Sequence, residues 1–411
     1  MNPDLQRLRR IRDRMRASGL DALLCLLPHN VLMLTGYAPV LGHSFAFFPL
    51  EGDPVLLVPD SEKELARSGW VADVRVFEIN SLLQLVTLAV AAEPMLAQLA
   101  RERDMLGCVI GYEHDYDLVP TSYTQMATPS ASTVQLLQEA FGGAEWRPVD
   151  GDLEQLGAVL SGREVELVRL ANLVAAQGMM AARSALRPGM RECDLAGIVS
   201  SAVLAAGHRL EPVRRVQPFV HVLSGPRTEH AYLPFGHTSG REILRGDQVL
   251  VQLEVYLDGF WAEIARTFFA GQASREQRKA YEVCLEAMDR ALAVERAGVH
   301  AAGVDIAARS ILTDRGYGIG FKHSLGHGVG FQAISRNRPP RLHPVSPDFL
   351  QPGMVHNLEP AVYLEQFGVR ITDDVLVTES APERLAPLET DLDWAICKGR
   401  RTISLPNRPA A

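Results

Sequence analysis

Residues 248–269 read QVLVQLEVYLDGFWAEIARTFF, two β-rich runs on either side of Asp258-Gly259. An Asp-Gly pair between such runs signals a hairpin, because both residues tolerate the left-handed backbone of a tight turn. Side chains alternate along a strand. Gln252, Glu254 and Tyr256 therefore share one face of the first run, and Trp261, Glu263 and Ala265 share one face of the second. Antiparallel pairing brings Glu254 and Glu263 to one patch. Two carboxylates on one face suit a metal ion or acid–base chemistry. The plainer alternative is a solvated polar face opposite an apolar one.

Three stretches downstream carry further candidates. KHSLGHGVG (322–330) sets His323 and His327 among glycines, which let other groups approach closely. The spacing of four would put both on one helical face, but the glycines oppose a helix, so a helical zinc motif is a poor fit. VHNLEPAVY (355–363) places Glu359 in an apolar strand directly before Pro360, where a carboxylate is costly unless paired or metal-bound. In FGVRITDDVLVTE (367–379), Arg370, Thr372 and Asp374 alternate with apolar residues. Arg370 is a natural partner for a nearby carboxylate; the alternative is an edge strand with its polar face in water.

Working outward, 216–225 reads as another strand, and helices are expected over 275–297 and 302–315, with strands again from 353 to 378. Upstream, 162–186 has Leu167, Leu170, Ala171 and Val174 on one helical stripe, ended by Arg187-Pro188-Gly189. A second helix runs from Met190 to Ala206 and stops at Gly207. Paired helices among antiparallel strands make this half α+β. The first ~150 residues alternate strand and helix instead: a helix with Leu5, Leu8, Ile11 and Met15, then strands at 21–27, 44–50, 54–59, 74–79 and 105–113, with a helix near 82–100. That half is α/β.

Composition bounds the class. The chain has 411 residues, 47% hydrophobic and 22% charged, and domains usually hold ~100–200 residues, so two domains are expected. The net charge is 41 − 49 = −8 with no basic run, which excludes an electrostatic footprint for nucleic acid. Cys25, Cys108, Cys193, Cys284 and Cys397 are odd in number and form no CxxC. They read as core residues of a reducing compartment rather than a disulfide framework. No apolar stretch reaches the ~20 residues of a membrane span, and the N-terminus lacks a signal-peptide pattern, so a cytoplasmic protein is expected.

Taken in order, GDQVLV, DGFWAEIARTF, LGHGVG, LEPAVY and GVRITDDVLVTE resemble the motif series of the pita-bread hydrolases, the superfamily of aminopeptidase P, prolidase and creatinase. LGAVLSGREVELVRLANLVAA (156–176) and LRPGMRECDLA (186–196) resemble that family's domain entry. RLRRIRDRMRASGLDALLCLLPHNVLMLTGY resembles its small N-terminal domain. The resemblance implies a creatinase-type α/β domain over 1–152, a pita-bread α+β domain over 153–400 and a tail over 401–411.

The resemblance also implies a site. The metallopeptidases of the family hold two divalent metals with two Asp, one His and two Glu. Here the first Asp falls at Gln252, the second at Glu263, the His at His327, the first Glu at Glu359 and the bridging second Glu at Thr372. A later family histidine falls at Ile334. An upstream one falls at Phe235, with His230 and His237 close by. His323 matches a position that often contacts substrate. Two lost carboxylates argue against a two-metal site. Glu263, His327 and Glu359 would instead suit one divalent ion (Mn, Zn or Fe) or none, with Glu254, at a usual Gly position, as a fourth ligand.

The expected catalytic set is His327, Glu359, Glu263 and His323, with His237, Arg338, Arg370 and His43 contacting substrate. Arg338 falls at an arginine of the metal-free creatinase site, whose catalytic His and other Glu fall at Phe235 and Ala265. The expected function is hydrolysis of a C–N bond in a small amide, peptide-like or amidine substrate. The alternatives are a creatinase-like, metal-independent amidinohydrolase and a non-catalytic binding protein on the same fold. Metal analysis with hydrolysis assays discriminates them. Relatives form homodimers in which the N-terminal domain closes the partner's site, so His43, in TGYAPVLGHSF (35–45), is expected to reach a neighbouring pocket.

Overall fold

The structure is a computed structural model that describes residues 2–79, 81–83, 85–114, 131–211, 213–233, 236–332 and 338–398. The expectations on Phe235, Ile334 and the tail lie outside the described residues. Among the described residues no helix is long and apolar enough to cross a membrane.

The N-terminal half runs α1 (Leu5–Ala17), β1 (Ala22–Cys25), α2 (Pro28–Thr35), β2 (Phe45–Pro49), β3 (Val55–Pro59), α3 (Lys63–Ala66), β4 (Asp73–Phe77), α4 (Leu88–Glu102), β5 (Val109–Tyr112), α5 (Ala131–Ala140) and β6 (Glu145–Pro148). The strands form one mixed sheet in the order β4-β3-β2-β1-β5-β6, with β1 antiparallel to β2 and parallel to β5. The buried runs Ala22–Cys25 and Val55–Pro59 have no polar face because helices cover both sides. Pro28, which interrupts the first strand in the sequence, stands at the first turn of α2, where its missing N–H leaves no helical bond unmade.

Helix α6 (Asp150–Ala158) carries the chain into the second half. There α7 (Gly162–Ala185) starts from a capping box, Ser161 with Glu164, and packs on α8 (Glu192–Gly207). Strands β7 (Val216–Ser224), β8 (Gln248–Leu257) and β9 (Phe260–Ala270) follow. Then come α9 (Arg275–Val294), α10 (Ala301–Asp314), β10 (Val355–Leu358), β11 (Ala361–Leu364), β12 (Phe367–Arg370), β13 (Asp373–Leu376), β14 (Glu383–Arg384), α11 (Leu392–Ala395) and β15 (Ile396–Cys397). The main sheet is β15-β9-β8-β7, and β10-β13-β14 forms a second sheet. The two meet where Ala265 and Thr372 exchange backbone hydrogen bonds of 3.1 and 2.9 Å.

The segment 367–379 departs from the edge-strand alternative. It is two strands in two sheets, β12 and β13, and Arg370, Thr372, Asp373 and Asp374 are all buried. Asp373 is held by Arg266 at 2.7 Å and by Arg384 at 3.0 Å.

The halves share a core. Leu32 and Ala38 of the first pack with Phe260, Trp261, Val329 and Phe331 of the second. Arg7 of α1, only 1% exposed, bonds Glu164 at 2.9 Å and the Val159 carbonyl at 3.0 Å. The turn of the β8–β9 hairpin, with φ of 47° at Asp258 and 101° at Gly259, presses into this seam. A Cβ on Gly259 would lie 2.4 Å from Leu32 Cδ2, so glycine is required by space as well as by φ.

Candidate active site

The hairpin pairs as its alternation requires. Glu254 stands opposite Glu263, and Gln252 opposite Ala265. On the other side of β8, His221 of β7 is opposite Gln252, and Phe219 is opposite Glu254. The polar-face-in-water alternative is overturned: Glu254 is 0% and Glu263 is 3% exposed. The peptide N–H of Glu263 donates to Asp374 Oδ2 at 3.0 Å, and the same oxygen accepts from Asn172 Nδ2 at 2.9 Å. Asp374 thus ties α7, β9 and β13 together.

His327 reaches this face from a glycine-rich loop. A Cβ on Gly326 would lie 1.9 Å from the Asn357 carbonyl oxygen, so only glycine lets the loop pass β10 this closely. Asn357 then holds the histidine by accepting from its backbone N–H at 2.8 Å, while its amide lies 3.3 Å from Nε2. His327 Nδ1 is 3.2 Å from the Gly328 carbonyl, which can only accept, so the proton sits on Nδ1. Nε2 therefore carries the lone pair, which accepts from Asn357 Nδ2, and it lies 3.6 Å from Glu263 Oε2 and 3.8 Å from Glu359 Oε1.

Glu263, His327 and Glu359, all buried, each place one ligand atom within 4.8 Å of the others. Glu263 Oε2 has no hydrogen-bond partner. An unpartnered buried carboxylate oxygen is costly, and one imidazole nitrogen with two carboxylates is a common donor set for Zn, Mn or Fe. The residues present therefore fit a divalent ion. Glu254 is outside this group: its Oε1 accepts from Gln252, and its Oε2 lies 3.9 Å from His221 Nε2, also without a hydrogen-bond partner. Burial first, and then the charge of Glu263, pushes the Glu254 carboxyl well up. Burial does the same to Asp374.

Arg370 crosses the floor of the site. It donates to Gln252 Oε1, and its Nη1 is 3.7 Å from Glu359 Oε2. Burial alone would lower its pKa, but Tyr363, Glu359, Glu263 and Glu254 together outweigh that and raise it. His323, half-buried, sits beside Tyr363, whose hydroxyl is 3.2 Å from Nε2, while Nδ1 is 2.7 Å from the Ser324 carbonyl. Burial lowers its pKa, so it is a neutral acceptor toward Tyr363.

The other expected residues lie elsewhere. Arg338 is buried at the seam, bonded to Gln332, with Gly157 against its guanidinium. Burial brings its pKa down to about 10. It makes no ion pair with Glu359, whose arginine partner is Arg370. His237 is exposed in the β7–β8 connection. His43 sits between α2 and β2 in the N-terminal half, with Nδ1 buried and lacking a hydrogen-bond partner. His221, Asn357, Tyr363 and Asn172 were missed by sequence reasoning. His221 had a signal: in VQPFVHVLS it has the parity that faces Gln252.

Known proteins place this arrangement. The model of metallopeptidase family M24 matches residues 166–379, more than half of the chain, and that of the creatinase/prolidase N-terminal domain matches 7–159. A Xaa-Pro dipeptidase of Pyrococcus furiosus is 28% identical over 94% of this chain and 99% of its own. An uncharacterised peptidase of Staphylococcus haemolyticus is 30% identical over 68% of this chain and 79% of its own. The solved structure of the prolidase from Pyrococcus horikoshii is 26% identical, has a TM-score of 0.74 and covers 94% of this chain and 99% of that one. With both models matched in order, the site on the pita-bread half and the mixed sheet before it, the chain belongs to metallopeptidase family M24, hydrolases of C–N bonds.

Proposed function

We propose that the protein hydrolyses a C–N bond of a small peptide-like substrate with a single divalent ion held by Glu263, His327 and Glu359. The unpartnered Glu263 Oε2, facing His327 Nε2 at 3.6 Å, carries this reading. A divalent ion bound there supplies a Lewis acid and a water acidic enough to attack near neutral pH. The chain's own residues do the rest. The Gly328 carbonyl holds His327 in the tautomer with its proton on Nδ1, and Asn357 fixes its backbone. Arg370 fixes Gln252 and faces Glu359, keeping a positive charge beside the carboxylates. Tyr363 and His323 form a neutral pair at the edge of the site, able to touch a substrate amide without adding charge.

The relatives named Xaa-Pro dipeptidases support a peptide-like substrate. Thr372, where the family resemblance expects the bridging Glu, and Ile334, where it expects a later histidine, lead us to propose that Xaa-Pro cleavage is slow here, by about 10²–10³ for each lost charged group. Metal analysis of purified protein tests the reading. One ion per chain, lost in His327→Ala, supports it; two ions, or vigorous manganese-dependent Xaa-Pro hydrolysis, refutes it. We further propose a cytoplasmic homodimer in which segment 35–45 brings His43 to the partner's site. A strict monomer at micromolar concentration in sedimentation would sink that part.

A further inference from the structure

The rim beyond Tyr363 carries a cation that the hydrolase reading leaves unused. Lys322 Nζ lies over the Tyr232 ring, 4.4 Å from its centroid. The Tyr232 ring is 5.6 Å from that of Tyr363, and the Tyr363 ring is 5.6 Å from the imidazole of His323. Lys322 and His323 are neighbours in the chain, yet both side chains go to this one aromatic pair. Tyr363 in turn stands beside Arg370, whose Nη1 is 3.7 Å from Glu359 Oε2. A continuous wall therefore runs from the ion ligands through Tyr363 to Tyr232, and Lys322 closes its outer end.

Charge is divided along this wall. The buried Glu254, Glu263 and Glu359 gather at its inner end. Arg370 is committed there, to Gln252 and Glu359. Arg309, which donates to the His323 carbonyl at 2.9 Å, is held by Asp305 at 2.8 Å. Lys322 is exposed, and among the described residues it makes no ion pair. A lysine resting on a surface tyrosine can be packing alone. Here the surface around it points to a ligand: Leu233, which follows Tyr232, is 50% exposed, and Leu364, which follows Tyr363, is 39% exposed. Apolar area beside an unpaired cation suits a molecule that brings an apolar group and an anion together.

We propose that Lys322 and Tyr232 form a specificity subsite for the free carboxylate at the carboxyl end of a peptide-like substrate, with Leu233 and Leu364 taking an apolar side chain of that end residue. The substrate's other end, where it carries an ammonium, is drawn to the inner carboxylates, so the opposed charges orient it along the wall. Tyr232 holds the lysine over its ring, and less side-chain freedom is lost when the anion arrives. The proposal rests on the hydrolase reading for its meaning to catalysis, but binding alone tests it.

The probe is N-acetyl-leucine, with uncharged N-acetyl-leucine amide as the control, each titrated calorimetrically into the full chain with manganese. The wild type should bind the acid about fivefold more tightly than the amide, the upper end for an exposed ion pair. Lys322→Met should erase that preference and Lys322→Arg should keep it, with the unfolding midpoints of both variants at the wild-type value. Equal affinity for acid and amide in the wild type overturns the proposal, as does no detectable binding of the acid, or a preference that survives Lys322→Met. Hydrolysis of alanyl-leucine and of its amide is followed on the same preparations. A wild type that prefers the acid yet hydrolyses neither peptide refutes the hydrolase and leaves the subsite standing. One that hydrolyses both and shows no preference in binding does the reverse.

Discussion

Both halves of the molecule bury carboxylates, but those around the candidate site are treated differently from those of the N-terminal half. In the N-terminal half, Glu113 is 5% exposed and both its oxygens are bonded, to the backbone N–H groups of Leu26 and Leu27 and to Asn30. Glu62, 2% exposed, accepts from Tyr37 and from the N–H groups of Val40 and Leu41. In the C-terminal half, Glu254, Glu263 and Asp374 each keep one oxygen without a hydrogen-bond partner. A buried acid whose oxygens are all met is a brace between chain segments. A buried acid with an oxygen to spare is held ready for something else, since the unmet group costs ~1–3 kcal/mol or more. The difference separates scaffold from site without any appeal to family.

The comparison breaks first at His327. If the spare oxygen of Glu263 serves an ion, His327→Ala should lose that ion and lower hydrolysis by ~10³-fold or more, the several kcal/mol that a Lewis acid contributes. Elemental analysis and steady-state rates on the same preparation check it; unchanged rates would strip the spare oxygen of meaning. Next is the converse experiment. Gln252→Asp with Thr372→Glu supplies the two carboxylates missing from the family pattern, and the ion count per chain should rise from one to two. A count still at one would show that Arg370, beside both positions, keeps the second ion out.

The scaffold side yields a smaller effect of another kind. Tyr37→Phe takes a charge-assisted bond from Glu62 and should cost ~1.5–3 kcal/mol in denaturant unfolding, with rates per folded molecule unchanged. The smallest effect sharpens the rule at its exception. Glu295 also has a spare oxygen, yet its other oxygen accepts from His356 at 2.9 Å, both side chains being 0% exposed. Burial would lower the His356 pKa, but Glu295 outweighs it and the pKa is raised. For a raised histidine the added stability is fully present below the unfolded value of about 6.5 and is lost as pH climbs through the folded value. Unfolding midpoints should therefore fall as pH rises from about 6.5, and His356→Gln should flatten that slope. A wild-type midpoint that rises across the same range would contradict the ion pair.

Much of this was legible in the sequence because it is local. Asp258-Gly259 and the alternation around it set the β8–β9 register residue by residue, which by itself put Glu254 opposite Glu263. The motif order supplied His327 and Glu359, and the structure brings both to Glu263. Long-range information was harder. The alternating Arg370, Thr372 and Asp374 hide a break, because the chain leaves one sheet and enters another between β12 and β13, and nothing in that stretch announces it. His221 was passed over since its strand is rich in β-formers and its meaning depends on a partner over thirty residues away. Arg338 illustrates the reverse limit: a matched position says nothing of which way a long side chain turns, and here it turns to Gln332 at the seam.

The contact between Gly259 and Leu32 bears on how this protein can be cut for study. The tip of the hairpin that carries Glu254 and Glu263 ends in Gly259, roofed by Leu32 of α2, with Phe260 and Trp261 in the same shared core. A truncation beginning after α6 would leave those aromatic rings bare and the tip unsupported. Such a fragment should express poorly and aggregate, while a fusion placed on the N-terminus ahead of α1 leaves the roof in place. The small domain is thus best regarded as the catalytic half's lining, inherited as one piece with it, rather than as a detachable accessory.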